Sequence, residues 1–310
     1  VQLYLPIAEI PVNIFLILGL GLLTGFLAGM FGIGGGFLST PLLIFNGIPP
    51  AIAVSTAANQ IMASSVSGVL AHLRRGNVDI KMGSMLLIGG FFGSSLGVWI
   101  FKILQKTGQI DVAVAISYVV VLGSIGVIML IESCKIILER KYDIIWENKK
   151  RDNLMASIMI KLGNLPYKIS FPKSNIEVSV LVPVMIGFLV GILVAIMGIG
   201  GGFILIPAMV YILRMPSAVI VGTALFQTIF IAGNTTFLQA VTNHNVDIVL
   251  AFLMIVSSVI GAQIGTKVSY KVDTEALRSV LAVIILVICS KMLLQLFAQP
   301  ASLFVIEVIK

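Results

Sequence analysis

Met30-Phe31-Gly32-Ile33-Gly34-Gly35-Gly36-Phe37 returns as Ile196-Met197-Gly198-Ile199-Gly200-Gly201-Gly202-Phe203, and each copy is followed at the same distance by a proline, Pro41 or Pro207. Both copies interrupt stretches that are otherwise almost purely apolar. Glycine gives up the most backbone entropy on ordering, so a run of glycines weakens a helix. A chain that breaks an apolar segment twice in the same way is using the break.

The surrounding composition fixes the solvent. Of 310 residues, 58% are hydrophobic and 11% charged, where soluble domains carry about 25% charged residues. Apolar runs of roughly 17–25 residues read as membrane-spanning helices, and the short alternating segments of a β-barrel are absent. Val1 to Ile10 lack the basic region of a signal peptide. Cys134 and Cys289 sit in apolar segments without metal-ligand spacing or a disulfide framework. The net charge of +7 comes from basic residues clustered between apolar segments. That pattern points to membrane orientation and away from nucleic acid.

Apolar segments run over 12–31, 37–47, 51–71, 79–101 and 112–134, and again over 178–197, 203–213, 217–241, 247–266 and 276–298. The halves match beyond the glycines. Thr56 and Gln60 pair with Thr223 and Gln227, Asn77-Val78-Asp79-Ile80 with Asn245-Val246-Asp247-Ile248, and Gly93 and Gly97 with Gly261 and Gly265. The offset drifts only from 166 (Gly32 to Gly198) to 168 (Asn77 to Asn245). Four matches in order indicate duplication, a hallmark of secondary transporters. The expected fold is an all-α polytopic membrane protein of two homologous five-segment repeats related by inversion. The first repeat covers 12–138 and the second 178–298, with a cytoplasmic connecting loop at 139–177. In that loop Ile144, Trp146 and Met155 to Ile160 lie among charges, as an amphipathic surface segment or a solvated connector.

Charge gives the orientation. The loop over 72–81 carries Arg74, Arg75 and Lys81, and 139–177 carries eight Lys/Arg against five Asp/Glu. Two crossings separate these loops, so both belong on the cytoplasmic side. In the second half Thr242 to Asp247 has no Lys or Arg, and the next loop has Lys267, Lys271 and Arg278. An inverted repeat of five segments moves the basic bias by one loop in this way and puts both termini outside. The 11-residue segments 37–47 and 203–213 span roughly 16 Å each, about half of a hydrocarbon core. They read as half-helices, spanning or re-entrant.

At each break a spanning helix ends and a short helix starts. The first N–H groups of a helix have no intrahelical acceptor, and the helix dipole makes that end positive. Lipid cannot satisfy those groups. Without side chains in the way, an oxyanion can approach them closely, and glycines at positive φ can make N–H groups converge. Gly32, Gly34, Gly35 and Gly36 with Gly198, Gly200, Gly201 and Gly202 are therefore the candidate anion-binding residues. Gly93, Gly97, Gly261 and Gly265 have the spacing of close helix packing. Nucleotide binding is excluded, because no Lys-Ser/Thr follows the run and Phe37 or Phe203 stands where a dinucleotide fingerprint needs glycine.

Thr56, Asn59, Gln60, Thr223, Gln227 and Asn234 follow the half-helices and are candidates to line a path. Interhelical hydrogen bonding, worth about 0.6 kcal/mol on average, is the competing use. Asp79, Asp247, Lys102 and Lys267 stand at segment ends, which reads as interface marking, as do His72 and His244. No nucleophile–base pair, metal cluster or ATPase motif is present in the sequence, so neither an enzyme nor a cofactor is expected.

The duplicated glycine string with its proline, the Thr/Gln segment and the Asn-Val-Asp-Ile loop resemble the TauE/SafE family of sulfite exporters over most of residues 12–298. The resemblance implies a bacterial inner-membrane carrier for sulfite or organosulfonates, with the glycine motifs at the core of its path. The central loop is longer than the family's linker. An anion channel, or a carrier for another oxyanion such as a carboxylate, are the alternatives. The expected partners are a small anion and the lipid bilayer, without nucleic acid.

Overall fold

The computed structural model describes residues 2–31, 35–142, 167–174, 176–269 and 274–297. All ten apolar segments are helices: α1 (Ile14–Phe31), α2 (Gly36–Phe45), α3 (Pro50–Arg74), α4 (Ile80–Lys106), α5 (Ile110–Tyr142), α6 (Leu181–Met197), α7 (Gly202–Tyr211), α8 (Ser217–Leu238), α9 (Ile248–Ser269) and α10 (Thr274–Phe297). Six stretches are long and apolar enough to cross a bilayer: α1, α4, Ile110–Ile131, Ala218–Asn243, Ile248–Val268 and Ser279–Phe297. The chain is a multi-pass membrane protein. Large apolar side chains such as Phe92, Phe237 and Phe252 point outward, as helices solvated by lipid require. α5 runs into the stretch read as a connecting loop, and Ile144, Trp146 and Met155 to Ile160 lie outside the described residues.

Packing follows the repeat. The most extensive helix pairs are α1 with α9 and α4 with α6, and each joins a first helix of one half to the fourth helix of the other. Glycine makes these pairs possible. A Cβ on Gly93 would strike the Phe188 carbonyl, and one on Gly261 the Leu22 carbonyl. Gly25 abuts Ser258 and Gly29 abuts Ala262, so α1 and α9 run parallel. α3 and α8 pack against each other at the centre. There Gly233 faces Met62 and Gly68 faces Leu225, so these equivalent helices run antiparallel.

Two β-hairpins join the helical fold. β1 (Gln2–Leu5) pairs with β2 (Ile10–Asn13) just before α1, and β3 (Lys168–Phe171) pairs with β4 (Ile176–Ser179) just before α6. They stand 166 residues apart, so the repeat includes them. Each hairpin docks on an aspartate of the opposite half. Asp247 precedes α9 and accepts from Val249 N and Leu250 N at 3.1 Å each, and from Ile7 N at 3.0 Å in the first hairpin. Asp79 is the N-cap of α4, accepts from Met82 N at 3.0 Å, and takes a hydrogen bond from Ser174 Oγ of the second hairpin. Lys173 Nζ donates to the Gly76 and Val78 carbonyls beside it. Both aspartates are buried, where the sequence reading placed them at the interface. The burial is tolerable because each carboxylate oxygen has a donor: backbone N–H groups on both oxygens of Asp247, and the Met82 N–H and the Ser174 hydroxyl on the two oxygens of Asp79.

Asp247→Ala removes the cap, worth about 0.5–2 kcal/mol, and unpairs N–H groups at about 1–3 kcal/mol for each one buried. The expected result is a clear fall in the thermal midpoint of the detergent-solubilised protein. Asp247→Asn, which keeps an acceptor oxygen, loses less. Equal midpoints for Asp247→Ala and the unsubstituted protein would contradict the docking role.

Candidate functional site

The two glycine breaks end up against each other. The Phe37 and Phe203 rings, each the second residue of its half-helix, stack with centroids 5.2 Å apart and planes 19° from parallel. A Cβ on Gly36 would lie 2.9 Å from the Gly198 carbonyl oxygen. Gly35, Gly36, Gly198, Gly200, Gly201 and Gly202 are all buried. Gly32 and Gly34 lie outside the described residues. Ile61 of α3, fully buried, fills the space beside Gly36 and Gly200.

The breaks do not share one backbone shape. In the first, the residue before α2, Gly35, is left-handed at φ 71°. In the second, the left-handed residue is Gly198 at φ 66°, closing α6 through its N–H to Val194 O. Gly201, the counterpart of Gly35, is right-handed at φ −43°. The first helical hydrogen bond onto that residue is Leu205 N to Gly201 O at 2.8 Å. The amides of Gly202, Phe203 and Ile204 therefore come before the helical ladder begins.

The first half holds the second break in place. Tyr118 OH of α5 donates to the Met197 carbonyl at 2.9 Å, and Thr40 Oγ1 of α2 donates to the Gly198 carbonyl at 3.4 Å. These are carbonyls that the end of α6 leaves unpaired. Tyr118 has no tyrosine counterpart in the second half, and no repeat or motif in the sequence singles it out.

The polar candidates divide by location. Gln60 lies beside the first break. Its Nε2 donates at 2.9 Å to Thr24 Oγ1, which donates in turn to Gly21 O, while the Thr24 carbonyl adjoins Gly35. This fixes the amide orientation and leaves Gln60 Oε1 buried without a hydrogen-bond partner. Thr56 Oγ1 is likewise buried and unpartnered, and Asn59, one residue from Gln60, is half-buried. In the second half Gln227 Nε2 donates to Leu86 O at 3.3 Å, leaving its Oε1 unpartnered. Thr223 donates to Val219 O and accepts from Asp79 N, and Asn234 donates to Ser94 and Ser95. Thr223 and Asn234 are thus helix joints in this conformation and do not meet the breaks. Thr228 does approach one, with Oγ1 4.0 Å from a Cβ placed on Gly201. The repeat offset that pairs it with Ile61 was available in the sequence, but the pairing of an apolar with a polar residue gave no signal.

Among the described residues no group of histidine, cysteine and carboxylate side chains could hold a metal. Cys289 is buried, its Sγ 3.8 Å from the Tyr118 carbonyl.

A family model described as sulfite exporter TauE/SafE matches residues 17–292. The probable membrane transporter protein YjnA of Bacillus subtilis is 29% identical over 271 residues, covering 86% of this chain and 95% of its own length. YunE of the same organism, also a probable membrane transporter protein, is 25% identical over 277 residues, covering 87% and 93%. Sulfite exporter TauE/SafE family protein 1 of Arabidopsis thaliana is 31% identical over 108 residues, 34% of this chain and 24% of its own length. No solved structure matches the chain.

Proposed function

The chain belongs to the sulfite exporter TauE/SafE family of membrane transporters, and we propose that it is a secondary carrier of sulfite or small organosulfonates across the bacterial inner membrane, with no enzymatic step. The observation that carries the reading is the meeting of the two half-helix N-termini, with Phe37 on Phe203 and Gly36 on the Gly198 carbonyl. Two positive helix ends converge there from opposite halves. Broken helices of this kind hold anionic groups of substrates in secondary transporters.

Two further features support the chemistry. The missing Cβ atoms leave backbone amides as the donors, so the site needs no fixed cation that would bind the anion too tightly to release. The orphan oxygen of Gln60 beside the first break accepts from a hydroxyl, which hydrogen sulfite carries and the fully ionised sulfonate group lacks, so of the two substrates it favours sulfite. The antiparallel course of α3 and α8 supports an inverted repeat, with the 72–79 loop on the cytoplasmic side.

Radiolabelled sulfite flux into proteoliposomes tests the assignment. The expected result is saturable uptake that organosulfonates inhibit and that an imposed ion gradient changes. Uptake of carboxylates with no response to any sulfur oxyanion would reject the substrate class, and single-channel currents would reject the carrier.

A further inference from the structure

The break between α6 and α7 leaves a row of amides without acceptors. Had α6 continued, each N–H would bond the carbonyl four residues back. Gly201 N–H would then take Met197 O, and Gly202 N–H would take Gly198 O. Neither bond forms. Among the described residues the amides of Ile199, Gly200, Gly201, Gly202, Phe203 and Ile204 have no acceptor, and the next bond along the chain is Leu205 N to Gly201 O at 2.8 Å. Ile199 to Phe203 are all buried. Buried N–H groups in folded proteins almost always have a partner, so this row of donors is a place for a ligand.

Hydroxyls of the first half engage the two carbonyls instead. Tyr118 OH of α5 donates to Met197 O, and Thr40 Oγ1 of α2 donates to Gly198 O. A trans peptide points its C=O and N–H in opposite directions, so turning the Gly198 carbonyl toward Thr40 turns the Ile199 N–H away from it. Gly198 is left-handed, and a Cβ placed on it would meet Thr40 Oγ1 at 2.9 Å and Val54 O at 2.7 Å. A side chain there would push Thr40 off the carbonyl. Tyr118 is fully buried, in one apolar cluster with Met197, Ile199, Phe37 and Phe203. Packing on that scale fixes its ring and holds the hydroxyl on the end of α6.

We propose that Tyr118 is a positioning residue for the anion. Its hydroxyl, with that of Thr40, holds the carbonyls that would otherwise take up the Gly201 and Gly202 amides, and so keeps those amides free for the substrate. Tyr118 acts through the backbone and does not itself touch the anion. This rests on the carrier reading above. Without the hydroxyl, Met197 O is free to accept from Gly201 N–H, and α6 extends toward α7. The site then loses a donor while the fold regains a hydrogen bond. Anion binding and stability are therefore expected to separate.

Tyr118→Phe keeps the ring and removes only the hydroxyl. Sulfite uptake into proteoliposomes, and thermal midpoints across a sulfite titration, are measured for it beside the unsubstituted protein. The expected result is a KM, and a sulfite concentration at half-maximal stabilisation, raised about tenfold, as for one charge-assisted hydrogen bond lost. The kcat and the anion-free midpoint change little. Thr40→Val is expected to raise KM in the same direction and Thr40→Ser, which restores a hydroxyl, to bring it back. This pair gives the reading should Tyr118→Phe not fold. A lower midpoint with an unchanged KM marks a purely structural hydrogen bond and overturns the proposal. The two readings fail differently. No response to sulfite from the unsubstituted protein overturns the carrier and the positioning role together, and a normal response with KM unchanged in the variants overturns the positioning role alone.

Discussion

Gly93→Leu and Gly261→Leu are each expected to leave little folded protein in the membrane. Lipid tails are as apolar as leucine, so helices associate in a bilayer through close van der Waals contact and not through the hydrophobic effect. In the α4–α6 and α1–α9 pairs the contact at these glycines is backbone to backbone, with the Phe188 and Leu22 carbonyls where a Cβ would stand. Overpacking a core typically costs about 1–3 kcal/mol because side chains move aside. Here the obstacle is a peptide carbonyl, which can yield only if the helices part along their length, so the loss is larger. Gly19→Leu and Gly123→Leu are the controls, since nothing lies within 4 Å of a Cβ at either position. Size-exclusion profiles and thermal midpoints of the four variants make the comparison. Equal yields from Gly93→Leu and Gly123→Leu would show that close packing does not hold these pairs.

Gly201→Leu is expected to abolish transport while leaving folded protein. Its backbone is right-handed, so leucine brings no conformational strain, and the atoms nearest a Cβ there are side-chain methyls with no backbone among them, Val190 Cγ1 at 2.8 Å and Val194 Cγ2 at 3.3 Å, so the cost is local repacking. The added side chain crowds the break next to Gly202 and Phe203, whose amides come before the helical ladder, and is expected to hinder close approach by an oxyanion. Gly35→Leu should abolish transport too, but at a further cost in stability. Gly35 is left-handed, which costs an L-residue roughly 1–2 kcal/mol, and Ala28 Cβ and Thr24 O lie within 3 Å of its would-be Cβ. Flux measured at equal reconstituted protein separates the two effects. Normal transport by Gly201→Leu would remove the amide site.

The helices were legible because lipid leaves few choices: apolar length and glycine or proline punctuation marked all ten, with ends displaced by a few residues in most. The packing role of Gly93, Gly97, Gly261 and Gly265 was legible for the same reason, since a small-xxx-small spacing has one main use in a membrane. The hairpins were not. Four-residue strands such as Gln2–Leu5 and Lys168–Phe171 carry too little periodicity to register, although a search for the repeat beyond the apolar segments would have paired them. The burial of Asp79 and Asp247 depended on those hairpins and was missed with them. Thr56, Gln60, Thr223 and Gln227 looked equivalent as letters, but α3 and α8 meet different neighbours, so Gln60 reaches the break through Thr24 while Thr223 is held by the start of α4.

The central claim, that backbone amides at the paired breaks hold the anion, is tested most directly by ligand-induced thermal stabilisation of the purified protein and of Gly201→Leu. Binding to the folded state alone adds about 2.7 kcal/mol at a hundredfold excess over the dissociation constant. The account predicts a concentration-dependent rise in midpoint with sulfite or an organosulfonate for the unsubstituted protein and none for Gly201→Leu. The same rise in both proteins would contradict it.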